Sequence, residues 1–124
     1  MPYADTDFFL ALIKESDWLK SSAKKLLDKY HKHIWTSVAT IAELLLLCAE
    51  FKLDPERVVS AVVNIAEVKG MTKEEAVASA HYMSEDSLTP LDAMHAAFCG
   101  SDEIISSDQA FSRIGLKRIP LEEK

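Results

Sequence analysis

The chain has 124 residues, of which 20 are acidic and 14 are basic, so its formal net charge is −6. This length fits a single domain spanning residues 1–124, and the excess of acid argues against a general electrostatic attraction to nucleic acid. No apolar run approaches the roughly 18 residues that span a bilayer, and no basic region precedes an apolar stretch at the N-terminus, so we expect a cytoplasmic protein without membrane contact.

The first part of the chain predicts a strand followed by two helices. Residues 2–5, PYAD, form a short apolar segment typical of a strand, and Asp5 falls at its end. The helical pattern that follows has one apolar face, formed by Phe8, Phe9, Leu12 and Ile13. A second amphipathic helix runs from Asp17 to Tyr30, with Trp18 on its inner face. Its outer face carries a row of lysines: Lys20, Lys24, Lys25, Lys29 and, just beyond it, Lys32.

One acidic side chain lies in an otherwise apolar segment. Residues 33–37, HIWTS, predict a strand, and Ser37 is placed to cap the following helix, which contains VATIAELLLLCA. This third helix is apolar nearly all round, so we expect it at the centre of the fold. A lone buried carboxylate is costly, so Glu43 must take up a proton, hold a metal, or pair with a lysine or with His95.

Capping residues mark the next two helices. Asp54, followed by a proline, begins the fourth helix, which we expect to end at Gly70. Its expected buried stripe is Val58, Val59, Val62, Val63, Ile65 and Ala66. Thr72 and Glu75 form a capping-box pattern for a fifth helix that extends to about Glu85. The expected buried face of this helix is Ala76, Val77, Ala80 and Met83.

The remaining sequence predicts a sixth helix and two strands. Thr89 precedes the helical segment PLDAMHAAFC, which Gly100 ends. EIISSD supplies a strand that ends near Ser106, and KRIPL a short last strand that Pro120 marks as an edge or terminus. Short strands separated by helices indicate an α/β domain with a small parallel sheet, in which ligands bind outside the carboxyl ends of the strands.

Four acidic residues fall at or near junctions between strands and helices. Asp5 ends the first strand, Glu43 lies in the helix after the second, Asp108 follows the third, and Asp92 is in the first turn of the helix before it. Because the carboxyl ends of parallel strands share one edge of a sheet, we expect at least three of these acids to meet, where their oxygens suit Mg²⁺ or Mn²⁺. Structural explanations also exist, with Asp5, Asp7 and Asp92 as helix caps and Asp108 in a turn.

Four segments resemble, in order, the motifs of the PIN-domain ribonucleases, notably the VapC-type toxins. They are DTDFFLAL from residue 5, TIAELL from residue 40, PLDAMHAA from residue 90 and EIISSDQAF from residue 103. The family shows an Asp-Thr-Asn-like opening, a helical Glu, an Asp-Ala-Leu-His-Ala-like helix and a Thr-x-Asp at a strand end. The match covers nearly the whole chain and implies a PIN-like three-layer α/β domain with a small central parallel β-sheet flanked by helices.

The resemblance implies a metal-dependent endoribonuclease that hydrolyses the phosphodiester bonds of RNA. Asp5, Glu43, Asp92 and Asp108 match the acidic quartet of the family and are expected to be both catalytic and metal-binding. Ser106 matches the Ser or Thr two residues before the last Asp, where it would orient water or a carboxylate. The expected cofactor is Mg²⁺ or Mn²⁺, as one or two ions, with Asp5 and Asp108 binding the principal ion.

Other residues have supporting roles with alternatives left open. Asp7 stands where the family usually has Asn or Ser, and its extra carboxylate either strengthens metal binding or points away. His95 follows Asp92 by three residues and either orients a carboxylate, contacts phosphate or is a satisfied buried histidine. The row of lysines either borders an RNA groove or forms a solvated helix face.

The resemblance also implies partners. A VapC-type toxin is expected to bind an RNA substrate, to form a homodimer through helical surfaces, and to be inhibited by an antitoxin whose Arg or Lys enters the acidic site. A PIN-like protein-interaction module without catalytic activity is one alternative. A haloacid-dehalogenase-like phosphatase is the other, because Asp5 and Asp7 follow the first strand, although no later acidic pair with a lysine supports it.

Overall fold

The computed structural model describes residues 1–122, which form one sheet of five strands and seven helices. The strands β1 to β5 are Tyr3–Ala4, Trp35–Ser37, Glu67–Lys69, Ile104–Ser106 and Arg118–Pro120. The helices α1 to α7 are Thr6–Ile13, Lys20–Tyr30, Val38–Phe51, Pro55–Ile65, Lys73–Asp86, Pro90–Cys99 and Ala110–Arg113. Within these residues, every helix is too short or too polar to cross a lipid bilayer.

The strand order is β3-β2-β1-β4-β5, and all four neighbouring pairs are parallel. In the register, Tyr3 lies between Trp35 and Ile104, so β1 is the central strand. Since all strands are parallel, their carboxyl ends lie at one edge of the sheet. β5 is an edge strand, as Pro120 predicts, because the missing amide hydrogen does not interrupt a ladder there.

Alternating side chains on the strands give the sheet two separate cores. Ala4 and Ile105 belong to a core formed with helices α1 to α4, whereas Tyr3, Trp35 and Ile104 belong to a second core formed mainly with α6. Successive residues of a strand point to opposite faces, so a strand as short as β1 contributes to both cores. Helices therefore cover both faces of the sheet, and the predicted three-layer α/β fold is confirmed.

Most of the capping predictions are confirmed. The side chain of Ser37 accepts a hydrogen bond from Ala39 N–H at the start of α3, and that of Asp54 accepts one from Glu56 N–H at the start of α4. Each bond satisfies one of the amide donors that a helix N-terminus leaves without a partner. The reciprocal capping box at the start of α5 is present as well, with both of its backbone hydrogen bonds formed.

Two helix boundaries were predicted wrongly. Helix α2 begins at Lys20 rather than Asp17, because the Asp17 side chain accepts the Leu19 N–H in a turn that leaves Trp18 78% exposed. Helix α4 ends at Ile65, and the segment before Gly70 is the strand β3, which the sequence analysis missed. β3 is an edge strand with two of its three residues exposed, so it lacks the apolar content by which a strand is recognised.

The exposed faces of three helices also differ from expectation. Helix α3 is not buried all round, since Leu46 is 72% exposed. On α4, Val63 is exposed rather than part of the buried stripe. Helix α5 packs against α6 with the side that carries Ser79, whose hydroxyl donates to the Glu75 carbonyl and so needs no partner from the core. As a result, the side expected to be buried is exposed: Ala76, Val77, Ala80 and Met83.

Candidate active site

The carboxyl edge of the sheet contains an acidic cleft of about 180 Å³. Strands β1 and β4 end next to it, and helices α1, α3 and α6 supply most of its wall. The structure brings all four acids of the expected quartet to this cleft, together with Asp7 and His95. The lining residues are Asp5, Thr6, Asp7, Leu10, Glu43, Leu47, Asp92, His95 and Asp108.

Asp5 lies where the central strand becomes helix α1. It is the N-cap of that helix, and its Oδ1 accepts the Asp7 N–H at 3.2 Å, so the predicted capping role is present. Its side chain is buried, and burial together with the negative charge of Asp7 raises the pKa of Asp5 well above its usual range. A hydrogen bond from Ser106 partly opposes this shift. The site thus disfavours the ionised form of its own central carboxyl group.

Asp7 is hydrogen-bonded to Ser107, a residue that was not among the predicted site residues. Its Oδ2 accepts hydrogen bonds from the Ser107 backbone N–H at 3.0 Å and from the Ser107 hydroxyl. Its Oδ1 is buried and has no hydrogen-bond partner within residues 1–122. A buried carboxylate oxygen without a donor is unfavourable, so this atom is suited to a cation or a protein donor from outside the chain. The sequence signal for Ser107 was its place directly after a strand that ends in serine.

Glu43 has the histidine partner that was one of the alternatives for it. His95 Nε2 lies 3.0 Å from Glu43 Oε1, and the Thr6 hydroxyl donates to the same oxygen. Burial raises the pKa of Glu43, but the hydrogen bonds from His95 and Thr6 outweigh it, so the pKa is lowered overall. Unlike Asp5, Glu43 therefore stays ionised readily, although apolar residues surround it in the sequence.

Asp92 and Asp108 come from opposite ends of the segment that includes α6 and β4. The Thr89 hydroxyl caps α6 by accepting the Asp92 N–H at 3.4 Å. Burial and the charge of Asp108 raise the pKa of Asp92, against the effect of its hydrogen bond with Thr89. Asp108 accepts the Ala110 N–H at 2.9 Å, which is the predicted turn role. The effect of Asp108 on the pKa of Asp92 shows that the two carboxyl groups lie within electrostatic range of each other.

Ser106 lies buried at the end of β4 and supports this turn. Its Oγ accepts the Asp108 N–H at 2.9 Å, which fixes the backbone that carries the last acid of the quartet. Ser106 is also among the hydrogen-bond partners that lower the pKa of Asp5. A single hydroxyl therefore links the residues that follow β1 and β4.

The chemistry of the cleft fits a hard cation, although the side chains do not converge on one point. Within residues 1–122, no three His, Cys, Asp or Glu groups are arranged so as to hold a metal ion. Asp5 and Asp108 each use one oxygen as a helix or turn cap, and Glu43 bonds Thr6 and His95 through one oxygen, so each of the three carboxylates keeps a second oxygen. Carboxylate donors, the raised pKa values of Asp5 and Asp92 and the partnerless oxygen of Asp7 all match a divalent cation.

The row of lysines on α2 lies apart from the residues that line the cleft. Lys20 is half-buried, and its ammonium group donates to the Leu12 and Lys14 carbonyls, so it anchors α2 to the end of α1. The other lysines of the row are exposed: Lys24, Lys25, Lys29 and Lys32. These contacts of Lys20 are structural, and they give no support to the alternative in which the row of lysines borders an RNA groove.

A parallel α/β sheet with acidic residues gathered at its carboxyl edge defines a class of domain whose site is built for cations or cationic groups. The family model of the PIN domain matches residues 3–117, and the chain belongs to the PIN domain family. No curated protein sequence matches the chain closely enough to count as a relative.

Several solved structures share the fold of this chain. A chain of a toxin–antitoxin complex from Klebsiella pneumoniae is 18% identical, with a TM-score of 0.79 and full coverage of both chains. A chain of FitAcB from Neisseria gonorrhoeae is 16% identical, with a TM-score of 0.73 and 98% of each chain covered. A chain of VapBC2 from Rickettsia felis, bound to a promoter DNA fragment, is 16% identical over 97% of this chain and 98% of its own, with a TM-score of 0.71. At these identities the likeness shows a common fold.

Proposed function

We propose that this protein is a metal-dependent endoribonuclease that hydrolyses RNA phosphodiester bonds. The observation that carries the proposal is that Asp5, Glu43, Asp92 and Asp108, from four separate segments, line one cleft and perturb one another there. A fold without use for this cluster would gain stability by dispersing it, because like charges at close range oppose folding. Membership of the PIN domain family supports the same function.

The four acids would hold one or two Mg²⁺ or Mn²⁺ ions in this proposal. Bound there, the cation supplies a polarised water and neutralises the charge that develops on the phosphate. Glu43 is the member whose lowered pKa and hydrogen bonds with His95 and Thr6 favour the carboxylate, while a positive charge in the cleft would lower the raised pKa of Asp5. Ser106 keeps Asp108 oriented through the backbone. Leu10 and Leu47 are the apolar side chains that line the cleft.

The biological setting that we propose is a VapBC-type toxin–antitoxin pair, in which this chain is the toxin. The same fold occurs in a toxin–antitoxin complex from Klebsiella pneumoniae and in VapBC2 from Rickettsia felis. An acidic cleft with a partnerless buried oxygen on Asp7 is suited to accept a guanidinium or ammonium group from an antitoxin, which would compete with the metal. Inhibition and catalysis would then depend on the same carboxylates.

A homodimer forms part of the proposal because two helices expose apolar faces. On α3, Leu46 is 72% exposed and Leu45 45% exposed, and on α5, Val77 is 71% exposed and Met83 43% exposed. Exposed apolar side chains that come together on a surface mark interaction sites in soluble proteins. A second copy of the chain is the occupant that we propose for these faces.

The test of the nuclease is cleavage of a labelled single-stranded RNA by the purified protein. We expect cleavage with Mn²⁺ or Mg²⁺, none with EDTA, and a loss of at least about 100-fold in rate for Asp5→Asn and for Asp108→Asn, because each removes a carboxylate that would hold the cation. Asp28→Asn, at an exposed position on α2, is the matched control and should keep the wild-type rate.

The alternatives give different results in the same assay. A catalytically silent interaction module would leave RNA intact with every metal while remaining folded. A haloacid-dehalogenase-like phosphatase would release phosphate from a small phosphomonoester in the presence of Mg²⁺ and leave the RNA uncut. The match of the PIN family model favours the nuclease over that phosphatase.

A further inference from the structure

A chain of hydrogen bonds connects the interior of the protein to the acidic cleft. The Ser37 hydroxyl lies 2.7 Å from the Tyr3 hydroxyl, which in turn lies 2.7 Å from Nδ1 of His95. On the other side of the imidazole, Nε2 lies 3.0 Å from Oε1 of Glu43. Ser37, Tyr3 and His95 are at most 1% exposed, so water has no access to the chain until it reaches the carboxylate.

The direction of these hydrogen bonds follows from the carboxylate end. An ionised carboxylate only accepts, so the proton of a neutral His95 must be on Nε2, which lies 3.0 Å from Glu43 Oε1 and 3.3 Å from the Thr6 hydroxyl oxygen. Nδ1 is then an acceptor, and the Tyr3 hydroxyl donates to it. The Tyr3 oxygen in turn accepts from Ser37, so each polar atom of the chain has a partner.

The Tyr3 ring is held by contacts that do not depend on its hydroxyl. It meets the Trp35 ring edge to face with centroids 4.8 Å apart, and it stacks on Phe98 at 6.4 Å. The ring is fully buried on the central strand of the sheet. Its hydroxyl is therefore a fixed point against which the imidazole can be oriented.

The bonds to Glu43 leave its two oxygens unequal. Thr6 and His95 both donate to Oε1, so this oxygen is committed to the protein and Oε2 is left for a ligand in the cleft. Rotation of the carboxylate would break both bonds at once. His95 and Thr6 together therefore hold the carboxylate of Glu43 in one orientation.

We propose that Tyr3 and His95 are positioning residues, with Tyr3 orienting the imidazole of His95 and His95 orienting the carboxylate of Glu43 toward a bound cation. The inference rests on the proposed function of the same cleft and gives neither residue contact with substrate. Groups that orient a ligating side chain are typically worth about 10- to 100-fold in metal affinity or activity.

The test compares Tyr3→Phe, which removes one oxygen and keeps the ring, with Tyr82→Phe. Tyr82 packs against the same core, and its hydroxyl lies outside the chain of hydrogen bonds. In calorimetric titrations with Mn²⁺ we expect Tyr3→Phe to weaken affinity by about 10-fold and Tyr82→Phe to leave it within two-fold. RNA cleavage by Tyr3→Phe should show a lower kcat with an unchanged KM. Equal Mn²⁺ affinity in the two variants overturns the proposal.

A second comparison covers the case in which Tyr3→Phe does not fold. His95→Gln keeps an amide donor that can reach Glu43, whereas His95→Leu removes it, so Mn²⁺ affinity should be higher for the glutamine variant. Equal affinities in these two variants would show that the donor has no positioning role.

A measurement without metal tests the chain of hydrogen bonds separately from the nuclease activity. In wild-type protein, the His95 ring N–H should give a solvent-protected proton resonance, and it should shift in both Tyr3→Phe and Glu43→Gln. If Tyr3→Phe does not shift the resonance of the His95 ring N–H, the chain of hydrogen bonds is ruled out. Another outcome is that the wild-type protein cleaves no RNA while this resonance still shifts as expected in both variants. That result would contradict the proposed nuclease function and support the chain of hydrogen bonds.

Discussion

Asp5 carries a carboxyl group in a place where the folded protein disfavours its charge. It is buried, and the charges of Asp7 and Glu43 add to the cost of ionising it. The same carboxyl caps helix α1, and its place at the end of the central strand puts it next to the other acids. Residues that a binding site needs often reduce the stability of the fold that carries them.

The substitution Asp5→Asn is therefore expected to stabilise the protein in the absence of metal. Asparagine keeps the capping oxygen and removes the charge, which we expect to raise the free energy of unfolding by roughly 1–2 kcal/mol at neutral pH. Above the usual pKa of 3.8 the unfolded chain loses this proton before the folded protein does, so the cost grows as pH rises toward the raised pKa. Urea denaturation at about pH 7.5 and about pH 4.5 should show the larger gain at the higher pH.

Two results would contradict this expectation for Asp5. One is a loss of stability in Asp5→Asn at neutral pH, which would mean that the carboxylate has a favourable partner. The other is an equal gain in Asp28→Asn, an exposed carboxylate on α2, which would assign the effect to overall charge.

Addition of Mn²⁺ should stabilise wild-type protein more than Asp5→Asn, because the wild-type site has one more anionic oxygen donor.

Local signals in the sequence predicted most helix starts correctly, because a cap is formed by residues that are close in sequence. Ser37, Asp54 and Thr72 each bond an amide within three residues, so the interaction is already encoded in the short segment. Which side of a helix is buried depends instead on distant parts of the chain. On α5 the exposed side carries Val77, and the buried side carries Ser79, whose own helix satisfies it.

The candidate site shows the same division between local and distant information. The positions of the acids at strand ends could be read from the alternation of strands and helices, and the structure places all four in one cleft. The hydrogen bonds that orient these acids could not be predicted from the sequence. They join residues far apart in the chain, such as Tyr3 with His95 and Asp7 with Ser107. A single sequence contains no record of such pairs.

Helix α5 offers a test of how much a local cap contributes. We expect Thr72→Ala to lower the free energy of unfolding by about 1 kcal/mol, because it leaves the Glu75 N–H without its acceptor. Urea denaturation measures the loss, and Thr72→Ser, which keeps a capping hydroxyl, is the matched control. RNA cleavage should not change, since Thr72 does not line the acidic cleft. A cost in Thr72→Ser as large as that in Thr72→Ala would show that the hydroxyl is not the source of the effect.

The whole molecule has an uneven surface, because an acidic cleft and apolar helix faces lie on one small domain. With a net charge of −6, two copies repel one another at long range, so association must come from apolar contact at close range. Stable interfaces bury about 1,200–2,000 Å² in total, and contacts through α3 and α5 would have to supply that area. Side chains that are more than 70% exposed on both helices, Leu46 and Val77, are the obvious contributors.

We therefore expect the wild-type protein to sediment as a dimer and the variant Leu46→Lys/Val77→Lys to sediment as a monomer. Two lysines in an apolar interface lose hydration without gaining partners, and in a dimer the penalty is incurred twice. Analytical ultracentrifugation at several concentrations measures the association, and circular dichroism checks that the fold is retained. A variant with the same added charge at exposed polar positions outside α3 and α5, Ser21→Lys/Ser101→Lys, should remain dimeric. A monomeric wild-type protein would contradict the proposed homodimer.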